Sequence, residues 1–417
     1  MLFDRFDLQP DDPLLALIGE VRADPRRHRL DLSVGVYRDE EGQTPVMQAV
    51  KAAEAQLVAG QASKAYLGPA GDADFCAHIA DLVLGAHAGC QVAGLQSVGL
   101  QSVGLQSVGG TGALRLAARL LAVNPRAHGA GPATIWLATP TWGNHAPVFA
   151  GAGLHIRTFA HTDAMGRALD FAAWMEMAER AEPGDAVLLQ GCGHNPTGID
   201  FTAQQWATLA TCIADKGLFP LVDLAYQGFG LGLEEDAAGV RTLVERVPEA
   251  LIAVSCNKTF GLYRDRVGAL LMTGRQAAPL AKGMAMAKAL ARGEYSMPPD
   301  HGAAVVRTVL ESAELTALWS DELDAMRTRL IQTRAAIAEH PLASELGLTG
   351  LVDQKGMFCL LGAGHRVVQR LKDESAIYVA PDGRVNLAGL PLARVDDFVT
   401  GLAAACRAAQ AELEMAL

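Results

Sequence analysis

No stretch of the chain approaches the roughly 20 consecutive apolar residues that a membrane-crossing helix needs. The opening MLFDRFDLQPDDP is acidic and polar, where a secretory leader is basic and then apolar, so the sequence predicts a cytoplasmic protein with no membrane partner. Basic residues are the minority, 35 Lys and Arg against 46 Asp and Glu, and they are scattered. With no basic stripe there is no electrostatic footprint for nucleic acid, and a small-molecule partner is expected instead. Cysteine is sparse, odd in number and widely spaced (Cys76, Cys90, Cys192, Cys212, Cys256, Cys359, Cys406). That pattern lacks the paired spacing of zinc sites or a disulfide framework, so free thiols and no metal are expected. Charged residues make up only 19% of the 417 and half of the chain is apolar, enough to bury a core serving more than one lobe.

What is present is alternation. Apolar runs of strand length (TIWLATP, AVLLQG, FPLVDLAY, ALIAVSC, VGALLMTG) are separated by longer helical patterns such as ALRLAARLLA and QQWATLATCIADKG. This predicts an α/β fold: a large domain with a mostly parallel sheet flanked by helices, with ligands gathering beyond the carboxyl ends of the strands. From about Glu322 a long charged helix is followed by short strands around GMFCLLG and GRVNLAGL and a closing Ala-rich helix, which reads as a smaller α+β domain. The predicted division is residues 1–45 as a segment joining the small domain, 46–320 as the large domain and 321–417 as the small one.

Residues 94–108 read GLQSV three times. The unit is far shorter than the roughly 20 residues of a solenoid repeat. Five is odd, so one extra copy inverts the in/out alternation of a strand while two restore it. Either the last copy forms the strand and the earlier ones loop out, or the strand slides onto another copy.

Several segments carry chemistry. In SCNKTFGLYRDRVG, residues 255–268, Lys258 follows a strand end, with Ser255 before it and Arg266 after it. A lysine amine forms an imine with an aldehyde cofactor, and a hydroxyl and a guanidinium can hold that cofactor's phosphate. A solvated basic loop explains the segment equally well. In FPLVDLAYQGFG, Asp223 ends an apolar strand and Tyr226 follows three residues on; the carboxylate can pair with a protonated pyridine nitrogen and the phenol with a ring oxygen, or Asp223 can cap the next helix. GCGHNPTG offers Asn195 as a donor to the same oxygen, in a turn whose Asn-Pro bond can be cis, or it is a plain turn. GGTGALRLAARLL sets Gly109, Gly110 and Thr111 at a helix N-terminus, a phosphate cradle or merely a Gly-rich start. TPTWGNH supplies Trp142, a plane to stack on a ring or a core residue, and His145 as a partner for Asp223.

Taken in order, GVYRDEEGQTPV, AYLG, GGTGALR, TPTWGNH, GCGHNPTGID, DLAYQGFG, SCNKTFGLYRDRVG, ARGEYSMPP and GRVNLAGL resemble the class I aspartate/aromatic aminotransferase family over about Leu32 to Leu390. The resemblance implies a fold type I homodimer with a composite active site and pyridoxal 5′-phosphate as cofactor. It implies Lys258 as the Schiff-base lysine and proton shuttle, Asp223 as the pyridinium partner, and Tyr226 and Asn195 on the 3-oxygen. Trp142 is implied to stack on the ring, with Gly109, Gly110, Thr111, Ser255, Arg266 and Tyr66 of the second subunit on the phosphate. Arg384, beside Gly35, is implied to grip the substrate α-carboxylate, and Arg292 of the second subunit a side-chain carboxylate. Two guanidinium groups suit dicarboxylic substrates, while DLAYQGFG and GLEEDAAG look like the bacterial aromatic-type branch. The expected function is ping-pong transfer of an amino group from an aromatic or acidic amino acid to 2-oxoglutarate. The alternatives are a decarboxylase, racemase or lyase using the same cofactor, or a transaminase impaired by the repeat. The chain departs from the family pattern at Asn257, where serine is usual, at Gly143, where proline is common, and at Gln190, where histidine is common.

Overall fold

The computed structural model describes residues 3–7, 13–85, 100–123 and 132–415, and these divide into two compact units. The larger comprises residues 45–331 and 353–357, the smaller residues 1–44, 332–352 and 358–417. The division falls within the long helix Ala313–Ala338.

The larger unit is organised on seven strands: β1 Gln101–Val108, β2 Thr134–Thr139, β3 His155–Ala160, β4 Ala186–Gln190, β5 Phe219–Leu224, β6 Glu249–Ser255 and β7 Val267–Gly274. Their spatial order is β1-β7-β6-β5-β4-β2-β3. The pairs from β3 to β6 are parallel, and only β7 runs against both of its neighbours. The predicted α/β class with a mostly parallel sheet is therefore the class observed. β7 is buried at all eight positions and β6 at all but its first, because helices cover both faces; hence these strands read as unbroken apolar runs. Leu114, Ile135, Leu188, Leu221, Leu251 and Leu270 meet in one core cluster between the sheet and its helices. The helix Ala203–Lys216 shows how the sequence punctuates the connections: Thr202 and Gln205 form a reciprocal capping box, worth about 1 kcal/mol, and Gly217 closes the helix at φ 64°.

The reversal of β7 has a positional effect. The other six strands end at one edge of the sheet, and β7 begins there: Val108 pairs with Val267, Ser255 with Gly268 and Gln190 with Asp223. The segments that leave β1, β2, β4 and β5 share that edge with the single loop that leaves β6 and enters β7.

The repeat resolves differently from either simple expectation. The last copy, 104–108, does form the strand ahead of Gly109, but residues of the second copy extend it and do not loop out, since β7 offers eight ladder partners from Val267 to Gly274. The odd period shows directly: Gln101 is exposed whereas Gln106 is fully buried, accepting from Asp72 N at 2.8 Å and donating to Pro299 O at 2.8 Å. The first copy, 94–98, lies outside the described residues.

In the smaller unit, Leu30–Asp31 pairs in parallel with Ile377–Tyr378, which ties the chain's beginning to its end, and Phe358–Leu360 pairs antiparallel with Arg384–Asn386. Helices His365–Ser375 and Val395–Met415 complete it. None of the six cysteines among the described residues is in a disulfide with another of them, and Cys90 lies outside them. No helix among the described residues is long and apolar enough to cross a membrane.

Candidate active site

A cavity of about 160 Å³ opens at the strand-end edge of the larger unit. It is lined by Gly110 and Thr111 after β1, Trp142 after β2, Asn195 after β4, Asp223 and Tyr226 at the end of β5, and Ser255, Asn257, Lys258 and Arg266 around β6 and β7. Five separate connections thus deliver their polar side chains to one place. Gly109 adjoins it beside Arg266, and Leu114 and Ala225, which no motif marks, also line it.

One wall is built to approach an anion. The helix Gly109–Val123 starts directly at the end of β1, so its first N–H groups lack intrahelical partners and its positive dipole end faces the cavity edge. Both leading glycines are required. Gly109 has φ 65°, and a Cβ there would lie 2.8 Å from Arg266 Nη2; a Cβ on Gly110 would lie 2.8 Å from Ser255 Cβ. Gly268, on β7, matters for the same reason, because a Cβ on it would come within 2.6 Å of the Gly109 carbonyl carbon. Arg266 adopts φ 57°, a conformation uncommon for a non-glycine residue, and its Nη1 donates to Tyr263 O at 3.3 Å. Asn257 also reaches it. With the amide oriented to satisfy both of its ends, the Asn257 oxygen accepts from Arg266 Nη1 and the nitrogen donates to Leu262 O at 3.3 Å. The amide that stands where serine is usual therefore braces the guanidinium.

The opposite wall is a hydrogen-bonded chain. Asp223, 8% exposed, meets Nε2 of the fully buried His145 at 3.1 Å, the pairing expected from the sequence. His145 Nδ1 contacts Thr141 Oγ1 at 2.8 Å, and Gln190 Nε2 donates to the same oxygen at 3.2 Å. Gln190 also exchanges two bonds with the backbone of Asn195. Asn195 follows a turn held by Asp200, whose carboxylate accepts from Gly193 N and His194 N; its bond to Pro196 is cis. Asn195 Nδ2 donates to the Tyr226 hydroxyl at 3.3 Å. Lys258 Nζ stands 5.0 Å from the Tyr226 ring centroid. The Trp142 ring meets the His145 ring edge-on at 5.3 Å between centroids. Two buried imidazoles flank this wall: His161 stacks on His194 at 3.7 Å, and burial pulls His161 down to about 4 and His194 well below its ordinary range.

Not every expected residue lies in this cavity. Tyr66 and Arg292 belong to the larger unit but are on its surface, Tyr66 at 92% exposure and Arg292 donating to Ser296 Oγ at 3.2 Å. Gly35 and Arg384 belong to the smaller unit, where both approach one ring: Arg384 lies 4.8 Å from the Phe358 centroid, and a Cβ on Gly35 would be 2.8 Å from Phe358 Cζ. Arg384 Nη2 donates to Ser33 O at 3.0 Å.

An amine beside a phenol, a buried carboxylate held by an imidazole and an anion cradle on one sheet edge are the parts of a carbonyl-cofactor site. Residues 27–402 match the family model described as aminotransferase class I and II, and the chain belongs to that family; it is an aminotransferase. It is 47% identical over 398 residues, 94% of this chain and 97% of the relative, to the tyrosine aminotransferase of Rhizobium meliloti (strain 1021). It is 39% identical over 391 residues, 93% of this chain and 96% of the relative, to the aspartate aminotransferase of Escherichia coli (strain K12). Its fold matches that of an aromatic-amino-acid aminotransferase from Burkholderia pseudomallei, solved covalently bound to pyridoxal phosphate, with a TM-score of 0.90 at 34% identity over 97% of this chain and 99% of that one.

Proposed function

We propose that the chain uses pyridoxal 5′-phosphate to move amino groups between aromatic or acidic amino acids and 2-oxo acids such as 2-oxoglutarate, alternating between two half-reactions. The observation that carries this reading is the convergence of Lys258, Asp223, Tyr226 and Asn195 with the Gly110, Thr111, Ser255 and Arg266 cradle on one cavity. The fit to the cofactor is specific at the cradle, where a side chain on Gly109 would crowd Arg266 and one on Gly110 would crowd Ser255, the two residues there that suit a phosphate. When bound, the cofactor supplies an electron sink that stabilises negative charge at the substrate's Cα.

The chain's own residues do the rest. Lys258 holds the cofactor between turnovers and, once released, its Nζ carries the proton that leaves Cα. Asp223, hydrogen-bonded to His145 Nε2 at 3.1 Å, would pair with the ring nitrogen and favour its protonated form. Tyr226 and Asn195, already joined at 3.3 Å, stabilise the ring oxygen, and Trp142 offers the ring a flat partner. Arg266, braced by Asn257, and the helix N-terminus hold the phosphate.

Arg384 is assigned the substrate α-carboxylate, and Arg292 and Tyr66 are assigned to the site of a second copy. Their exposure on this chain suits surfaces that a homodimer covers. Removing the guanidinium in Arg292→Leu should then lower kcat/KM for aspartate by about 10²-fold, the scale of a lost charge-assisted pair, while sparing phenylalanine. The test is a panel of aspartate, glutamate, phenylalanine, tyrosine and tryptophan, with 2-oxo acid formation followed with and without an acceptor. Sustained 2-oxo acid formation without an acceptor, beyond one equivalent per site, would indicate a lyase, release of amine and carbon dioxide a decarboxylase, and no product from any of the five would refute the proposal.

A further inference from the structure

We infer that Gln190 sets the direction of the hydrogen-bond chain ending on Asp223, and thereby keeps His145 Nδ1 an acceptor while Nε2 donates to the carboxylate.

The argument follows from which groups can only donate. The backbone N–H of Asn195 is a donor, and it points at Gln190 Oε1 at 2.9 Å. The backbone carbonyl of Asn195 is an acceptor, and it receives from Gln190 Nε2 at 3.0 Å. Turning the amide over would set two donors against each other and two acceptors against each other, so its orientation is fixed from both ends. The second N–H of Nε2 is thereby aimed at Thr141 Oγ1, 3.2 Å away. Thr141 has one hydrogen to give, and its other hydrogen-bonding neighbour among the described residues is His145 Nδ1 at 2.8 Å. The hydroxyl donates there, which makes Nδ1 an acceptor. Nε2 then carries the ring's proton and donates it to Asp223 Oδ2 at 3.1 Å. The imidazole is fully buried, with Trp142 edge-on to it and Phe149 stacked at 6.2 Å, so no solvent competes for either nitrogen.

Gln190 is accordingly a positioning residue. It lies three hydrogen bonds from Asp223 and acts on it through Thr141 and His145. An amide serves where an imidazole would not, because an imidazole nitrogen can reverse from donor to acceptor and an amide nitrogen cannot. The consequence for Asp223, whose Oδ2 accepts from an imidazole held in one orientation, rests on the function proposed above; the direction of the chain does not.

The test is long-range ¹H–¹⁵N NMR of the full-length chain labelled with [¹⁵N]histidine, recorded without cofactor and again after adding pyridoxal phosphate, with His145→Gln to assign the signal. The expected result in both samples is a protonated Nε2 and an unprotonated Nδ1. In Gln190→Glu, a near-isosteric change, the new carboxylate oxygen accepts from Thr141, so Thr141 must in turn accept from Nδ1. The His145 signal is then expected to move to the doubly protonated pattern. In Gln190→Leu the hydroxyl of Thr141 is released to turn either way, so the Nδ1 signal should move part of the way toward the protonated position while Nε2 stays protonated. A protonated Nδ1 in the parent chain, or a parent and Gln190→Glu with the same pattern, overturns the inference. Because the cofactor-free sample needs neither turnover nor substrate, this outcome is independent of whether the transaminase assay succeeds.

Discussion

Replacing Gly110 with alanine tests the anion cradle at its tightest point. The added Cβ would sit 2.8 Å from Ser255 Cβ, 3.3 Å from Ser255 Oγ and 3.6 Å from Ser255 Cα. Carbon atoms in contact prefer 3.5–4.0 Å, so the closest pair overlaps by at least about 0.7 Å. Ser255 cannot retreat freely, because it is paired with Gly268 on β7, and Gly268 is itself packed against Gly109. The remaining escape is outward movement of the helix start that the phosphate is proposed to use. Overpacking of this kind costs about 1–3 kcal/mol. If that strain falls on the cradle, cofactor affinity drops by roughly 5- to 150-fold. The assay is titration of the cofactor-free protein with pyridoxal phosphate by absorbance, run beside thermal unfolding of the same sample to separate lost affinity from lost stability. An affinity within twofold of the parent chain would refute the assignment of this turn.

Other outcomes follow from the same geometry. Lys258→Ala should bind the cofactor with an altered visible spectrum and lose turnover by about 10²–10⁴-fold or more, because no other amine lines the cavity; retained turnover in a steady-state assay would exclude the proton-carrying role. His161 is held near 4 against an ordinary 6.5, so the unfolded chain takes up a proton between those values that the folded chain refuses. Stability therefore falls as pH falls from about 6.5 to 4, by about 3 kcal/mol from this residue, with His194 acting in the same direction. Urea midpoints measured across that range should decline less steeply in His161→Gln, and parallel curves would contradict the assignment. Deleting ten residues, 94–103, should leave cofactor affinity and turnover unchanged: Gln91, Val92 and Ala93 would then precede the last copy, and they place Gln again at the exposed first position and Val at the buried Ser102 position. A large loss would show that the extra copies have a role.

Much of the fold was legible because a sheet covered on both faces must be built from continuous apolar strands, and β5, β6 and β7 are such runs. The residues that converge on the cavity were legible because each stands just beyond an apolar run, where a polar group has little structural reason to be. Contacts that depend on backbone shape were not legible. Nothing in the string RDRVG announces that Arg266 takes a positive φ, or that Gly268 exists to admit Gly109. Thr141 and Gln190 are 49 residues apart in sequence and meet only because β2 and β4 are adjacent. Gln190 stood out as a departure, but its partner was hidden within a segment quoted for its tryptophan. Asn257 is legible only as a departure from the usual serine, and its link to Arg266 emerges only once the loop between β6 and β7 is closed.

The glycine pair after β1 also answers a question the repeat poses. The eight residues of β1, QSVGLQSV, occur twice in the chain, at 96–103 and at 101–108, so a shift by one copy would present β7 with the same side chains in the same order. Packing within the strand cannot tell these two alignments apart. The residue that follows is glycine in both, Gly104 or Gly109. The next one differs: Gly110 in the observed alignment and Leu105 in the shifted one, at a position where even a single added carbon would collide with Ser255. The strand is ambiguous by itself, and its alignment is proofread one step downstream. The bare backbone that makes room for an anion is therefore also the stop that keeps a stuttering sequence in frame.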